Sequence, residues 1–174
     1  MTYMKAKDLQ QLKNLAAFPI DNLEKLAVNL QIKTLRKNDV VFNQDEKANS
    51  VYVLLSGVIR VSYVNNSERQ TIVSLLPAGE FFGLDSLMPQ ARYSFRCEAF
   101  DDCSIGSVKP QTFVEIFLGA PYDNFLPWYT ATLFPVRNAY IHCIKGIGLD
   151  LRRRLALELL NLADRFGTSD RRGI

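Results

Sequence analysis

This 174-residue sequence predicts a mainly β domain with helices at both ends. Two observations carry that expectation. From Ile32 to Val108 the apolar residues fall into short, strand-length runs cut by turn formers. On both sides of that stretch they recur at three- and four-residue steps instead. Many short strands at close spacing indicate a closed or nearly closed antiparallel barrel.

The elements follow in order. Leu9, Leu12, Leu15 and Ala16, then Leu23, Leu26, Ala27 and Leu30, place two short helices on either side of Pro19. Asp21 stands where an N-cap would start the second. The strand stretch includes Val40–Phe42, Val51–Leu55, Val58–Val64 and Thr71–Leu76. Lys37–Asp39, Asp45–Ser50, Ser56–Gly57, Asn65–Ser67 and Pro77–Gly79 are the turns between them. From Pro110 the helical period returns and runs almost to the end. Neither an internal repeat nor a low-complexity segment interrupts the chain.

Composition narrows the class. The chain is 48% hydrophobic, enough for a real core, and its net charge of +3 is far below that of a dedicated nucleic-acid binder. Its three cysteines (Cys97, Cys103 and Cys143) lack the paired spacing of a disulfide framework or a zinc site. No apolar run is long enough for a signal peptide or a membrane span, so a cytoplasmic protein without a membrane role is expected. A metal-binding barrel needs several histidines; this chain has one, His142, outside the strands.

The order of short helices, jelly-roll strands and long helix resembles the sensor domain of the catabolite activator/FNR (CRP/FNR) family. Phe42–Ala48 followed by Val51–Gly57 looks like that family's early hairpin and glycine turn. Leu76–Gly83 looks like the entrance to its phosphate-binding cassette. Leu149 to Ala163 is similar to the helix that links sensor to DNA-binding domain. The resemblance covers about residues 15 to 166. It implies a double-stranded β-helix (jelly-roll) barrel with a long C-terminal dimerisation helix. The expected divisions are 1–120 for a cyclic-nucleotide-binding-like sensor, 121–149 for the dimerisation helix and hinge, and 150–174 for the first helix of a truncated winged helix-turn-helix domain.

In nucleotide-binding members, the resemblance places a glutamate just after the cassette's Phe-Gly pair, accepting from the ribose hydroxyl. An Arg-Ser or Arg-Ala pair further on grips the cyclic phosphate, as a guanidinium pairs a phosphate bidentately. Here Phe82-Gly83 is followed by Leu84, and Tyr93 separates Arg92 from Ser94. Asp85 carries a carboxylate one position late, and Arg96 is a second anion candidate if its strand faces inward. An unpaired buried ribose hydroxyl costs about 1–3 kcal/mol, so cyclic AMP is not the expected ligand. Another small effector, or a cassette kept only for packing, stay open. The candidate ligand residues are Phe82, Gly83, Leu84, Asp85, Ser86, Arg92, Tyr93, Ser94 and Tyr140.

Other sensing chemistries of the family find less. An iron–sulfur cluster needs about four thiolates, and none precedes Cys97, so no cluster is expected. Haem would have to use His142. Cys97 and Cys103 flank a turn and are either a hairpin disulfide or buried thiols. No nucleophile with a partner histidine and no glycine-rich nucleotide loop supports an enzyme.

Tyr129, Leu133, Val136, Tyr140, Ile144 and Ile147 form a coiled-coil-like stripe, interrupted by Pro135 and ending at Gly146 and Gly148. It reads as a homodimer seam with a hinge. Asp150 to Phe166 reads as an amphipathic helix with Leu151, Leu155, Leu159 and Leu162 on one face. The chain is thus expected to be the effector-sensing, dimerising part of a transcription regulator. DNA and RNA polymerase would be reached only through a C-terminal domain missing here. The alternative is a stand-alone small-molecule module without a DNA role.

Overall fold

The structure is a computed structural model that describes residues 4–65, 69–117 and 149–167. These fall into two units, 4–117 and 149–167, each described by itself. The expected dimer seam, Tyr140, His142 and Cys143 lie outside the described residues.

The first unit opens with α1 (Ala6–Gln10) and α2 (Ile20–Asn29). Eight strands follow: β1 (Gln31–Leu35), β2 (Val40–Phe42), β3 (Val51–Ser56), β4 (Val58–Val64), β5 (Gln70–Pro77), β6 (Phe81–Phe82), β7 (Arg96–Ala99) and β8 (Cys103–Val108). A 3-10 turn, Leu84–Leu87, separates β6 from β7, and α3 (Pro110–Phe117) follows β8. The strands form two antiparallel four-stranded sheets, in the orders β1-β8-β3-β6 and β2-β7-β4-β5. That is the expected jelly-roll.

Strand β3 shows how the layers are built. Val51, Val53 and Leu55 belong to the cluster that the helices cover, while Leu54 belongs to the cluster between the sheets and Tyr52 packs against it. Both faces are apolar, which is why Val51–Leu55 reads as an unbroken run rather than an alternation. The helical layer supplies Leu9, Leu15, Phe18, Leu23, Leu26, Phe113 and Phe117, all essentially buried. Phe18 meets Phe117 edge-on at 5.1 Å, and Phe81 meets Phe113 at 5.2 Å. Each such ring contributes about 1.5–3 kcal/mol by burial.

Gly57 turns the chain from one sheet into the other with φ +82°; a Cβ there would lie 2.5 Å from Cys103 Cβ. Only glycine fits.

Two sequence expectations change. The N-cap of α2 is Pro19, whose carbonyl accepts from Asn22 and Leu23, so Asp21 lies within the first turn rather than before it. Its carboxylate still favours the positive end of the helix there. The stretch between Cys97 and Cys103 is no hairpin: β7 and β8 belong to different sheets. Both thiols are buried and free.

The second unit is α4 (Leu151–Phe166). Asp150 caps it, its Oδ1 accepting from the Arg153 N–H at 2.9 Å. Leu151, Leu155, Leu159 and Leu162 are all exposed, as are Arg152, Arg153 and Arg154. Among the described residues no helix is long and apolar enough to cross a membrane.

Candidate functional site

The cassette runs from the end of β5 to the start of β7. Gly83 ends β6 in the left-handed region at φ +71°, and a Cβ on it would stand 3.0 Å from Tyr52 and 3.2 Å from Tyr93. A glycine is therefore needed for both conformation and space. The 3-10 turn then carries Leu84 toward the helical layer, where it packs against the apolar cluster beneath α2 and α3. The position that the resemblance gives to a ribose-binding carboxylate is thus apolar.

Asp85 and Ser94 meet: the serine hydroxyl donates to Asp85 Oδ1 at 2.5 Å. Arg92 is exposed and turns back on the chain, its Nη1 donating to the Asp45 carbonyl at 2.5 Å. Ser86 is buried, and its Oγ has no hydrogen-bond partner. Phe82 is buried between the sheets.

Tyr93 behaves differently from its neighbours. Arg92 and Ser94 are exposed, whereas Tyr93 is only 3% exposed, with its ring inside the barrel. It stacks on Phe42 with centroids 3.7 Å apart and 18° between planes. Tyr52 and Phe82 stack at 5.3 Å beside them. The Tyr93 hydroxyl donates to the Ser50 carbonyl at 3.0 Å and accepts the Asn49 and Ser50 N–H groups, each at 3.2 Å. Burial pushes the Tyr52 hydroxyl well above the usual tyrosine range, and its interaction with the Tyr93 hydroxyl adds to the rise. The segment itself is clipped to the loop before β3: the Tyr93 N–H donates to Glu46 O and the Asp45 N–H to Tyr93 O, both at 2.9 Å.

Arg96 alternates with Cys97, whose thiol is in the barrel, so Arg96 lies on the outer face of its sheet. It does not face inward. There it donates to Glu98 Oε2 at 3.1 Å and to Asn43 Oδ1 at 2.5 Å. Arg60, opposite Glu98 in register, donates from Nε to Glu98 Oε1 at 2.7 Å. A buried carboxylate between two guanidiniums is a satisfied triad, with little left for a free anion. Cys97 is held above the ordinary thiol range by burial first, then by the carboxylates of Asp85 and Glu98. Among the described residues no three His, Cys, Asp or Glu side chains group as a metal site.

Sequence reasoning named the cassette but missed Phe42, Tyr52 and the Asn49-Ser50 backbone as its inner wall. Its one usable signal was the Tyr52–Leu54 parity, which points both at the barrel interior. Alternation along β7 puts Arg96 and Glu98 on one face, but bringing Arg60 to that carboxylate needed cross-strand register, which no local pattern carries.

The family model described as the cyclic nucleotide-binding domain matches residues 32–119. The nitrogen fixation regulation protein FixK of Azorhizobium caulinodans is 30% identical over 139 residues, 77% of this chain and 52% of that protein. The chain thus spans about half the length of that relative. FixK2 from Bradyrhizobium japonicum superposes with a TM-score of 0.68 at 21% identity, covering 80% of this chain and 69% of that one. The c-di-GMP responsive global regulator CLP of Xanthomonas campestris gives 0.70 at 13% identity, covering 88% and 76%. The family match and the shared fold leave one assignment: the chain belongs to the cyclic nucleotide-binding domain family.

Proposed function

We propose that this chain is the effector-sensing and dimerising part of a CRP/FNR-type transcription regulator, whose DNA-reading element lies in a further domain. The shared stretch with FixK, which extends well past the cassette, is the observation that carries this reading. In it, occupancy of the barrel loop around Gly83 to Ser94 shifts the helix from Pro127 to Ile147 and reorients the next domain through the Gly146–Gly148 hinge. The candidate ligand residues are those of the cassette, Phe82 to Ser86 and Arg92 to Ser94, with Tyr140 from the stripe. The partners are a second copy of the chain and, through the further domain, DNA and RNA polymerase. The setting is the cytoplasm, and no catalysis is assigned.

The effector is not cyclic AMP in this reading. Leu84 offers the ribose no acceptor, Ser94 is engaged by Asp85, and the residue directly before Ser94 is a buried tyrosine rather than an arginine.

Gel-shift titration tests the regulator reading, using the promoter of the encoding gene and scrambled DNA of equal length. Residues 1–174 alone should show no preference between them at physiological salt, because base readout needs a recognition helix in the groove. The polypeptide carrying the further domain should prefer the promoter. Loss of that preference would leave a stand-alone small-molecule module as the better reading.

A further inference from the structure

The ring of Tyr93 occupies the barrel as a ligand would. It reaches inward from a loop whose adjacent residues are exposed, and Gln90, three residues earlier, has φ +55°. One face of the ring lies flat on Phe42, and Tyr52 and Phe82 stand beside it. Its far end meets a fixed polar set: one carbonyl, from Ser50, and two N–H groups, from Asn49 and Ser50. A phenolic hydroxyl both donates and accepts, so it answers the carbonyl and the N–H groups together, with the Tyr52 hydroxyl beside them. The walls are aromatic and the end is polar.

We propose that the barrel holds a phenol-recognition site whose occupant is the chain's own Tyr93 side chain, so that Tyr93 decides what the barrel accepts. The site takes a planar, uncharged aromatic ring bearing one hydroxyl. An incoming effector competes with Tyr93, and its entry loosens the Asp85–Ser94 and Arg92–Asp45 contacts on either side. This rests on the sensor reading above, but the test does not involve DNA. Its failure would leave the gel-shift result untouched.

The chain with Tyr93→Ala is titrated with p-cresol, which reproduces the missing side chain, and with toluene, which lacks the hydroxyl. Binding is followed by calorimetry and by the rise in melting temperature. p-Cresol should bind the variant about tenfold or more tighter than toluene does, the loss expected when buried polar groups stay unpaired. It should also bind the variant about tenfold or more tighter than it binds the wild type, where Tyr93 competes. Equal affinity for the two ligands, or equal affinity of variant and wild type for p-cresol, overturns the proposal. Where Tyr93→Ala does not fold unaided, its refolding yield with each ligand is the readout. Recovery with p-cresol alone supports the site; equal recovery with toluene, or none with either, overturns it.

Discussion

The Ser94 hydroxyl is spent on the Asp85 carboxylate, 2.5 Å away. A phosphate approaching Ser94 would meet a carboxylate one hydrogen bond beyond it, and like charges repel. Together with Leu84, this predicts weak or no cyclic AMP binding by the chain. Calorimetry at neutral pH checks it, and a submicromolar dissociation constant would contradict the assignment.

Gly83→Ala should destabilise the domain by about 2–4 kcal/mol, combining a left-handed backbone penalty with overpacking. The added methyl would press on Tyr52, Tyr93 and the Ser50 carbonyl together. Urea unfolding measures this, and a change within error of the wild type would mean that the cassette yields more easily than its contacts imply.

Glu98 is buried, while Arg60 and Arg96 keep about a quarter of their side chains exposed. Glu98→Ala should therefore cost about 2 kcal/mol, below the 3–5 kcal/mol of a fully buried broken pair, because both arginines can turn to water. A double-mutant cycle between Arg60→Ala and Glu98→Ala in denaturant should show coupling. Strict additivity would count against the triad.

Burial pushes the Cys103 thiol from 9.0 up to about 11, with the carboxylates of Asp101, Asp102 and Asp39 adding to it. The folded state holds its proton more tightly than the unfolded state does. Its contribution is therefore complete below pH 9.0 and is lost as pH rises toward about 11. Denaturation midpoints between those limits should fall with pH, and less steeply in Cys103→Ala. Parallel pH profiles for the two proteins would refute the link.

The proposed seam predicts a dimer at micromolar concentration. Val136→Glu with Ile144→Glu would place charges in it and should give folded monomers by sedimentation. A monomeric wild type, or a dimeric double variant, would remove the seam.

Sequence alone determined the class of the fold, because helix and strand periods are local and survive without any partner. The runs Val51–Leu55 and Val58–Val64, the turn at Gly57 and the helix that ends at Phe166 all stand where their residue types put them. Tertiary structure decided which sheet each strand joins and which way each cassette side chain points. Cys97 and Cys103 are six positions apart yet lie in different sheets, since pairing across the barrel, not sequence distance, selects a strand's neighbours. Tyr93 turns in while Arg92 and Ser94 turn out, because the backbone at Glu46 and the polar end at Ser50 hold it there. Arg96 faces outward by its alternation with Cys97 and meets Glu98 two residues along the same strand, while only the pairing of β4 with β7 brings Arg60 to that carboxylate.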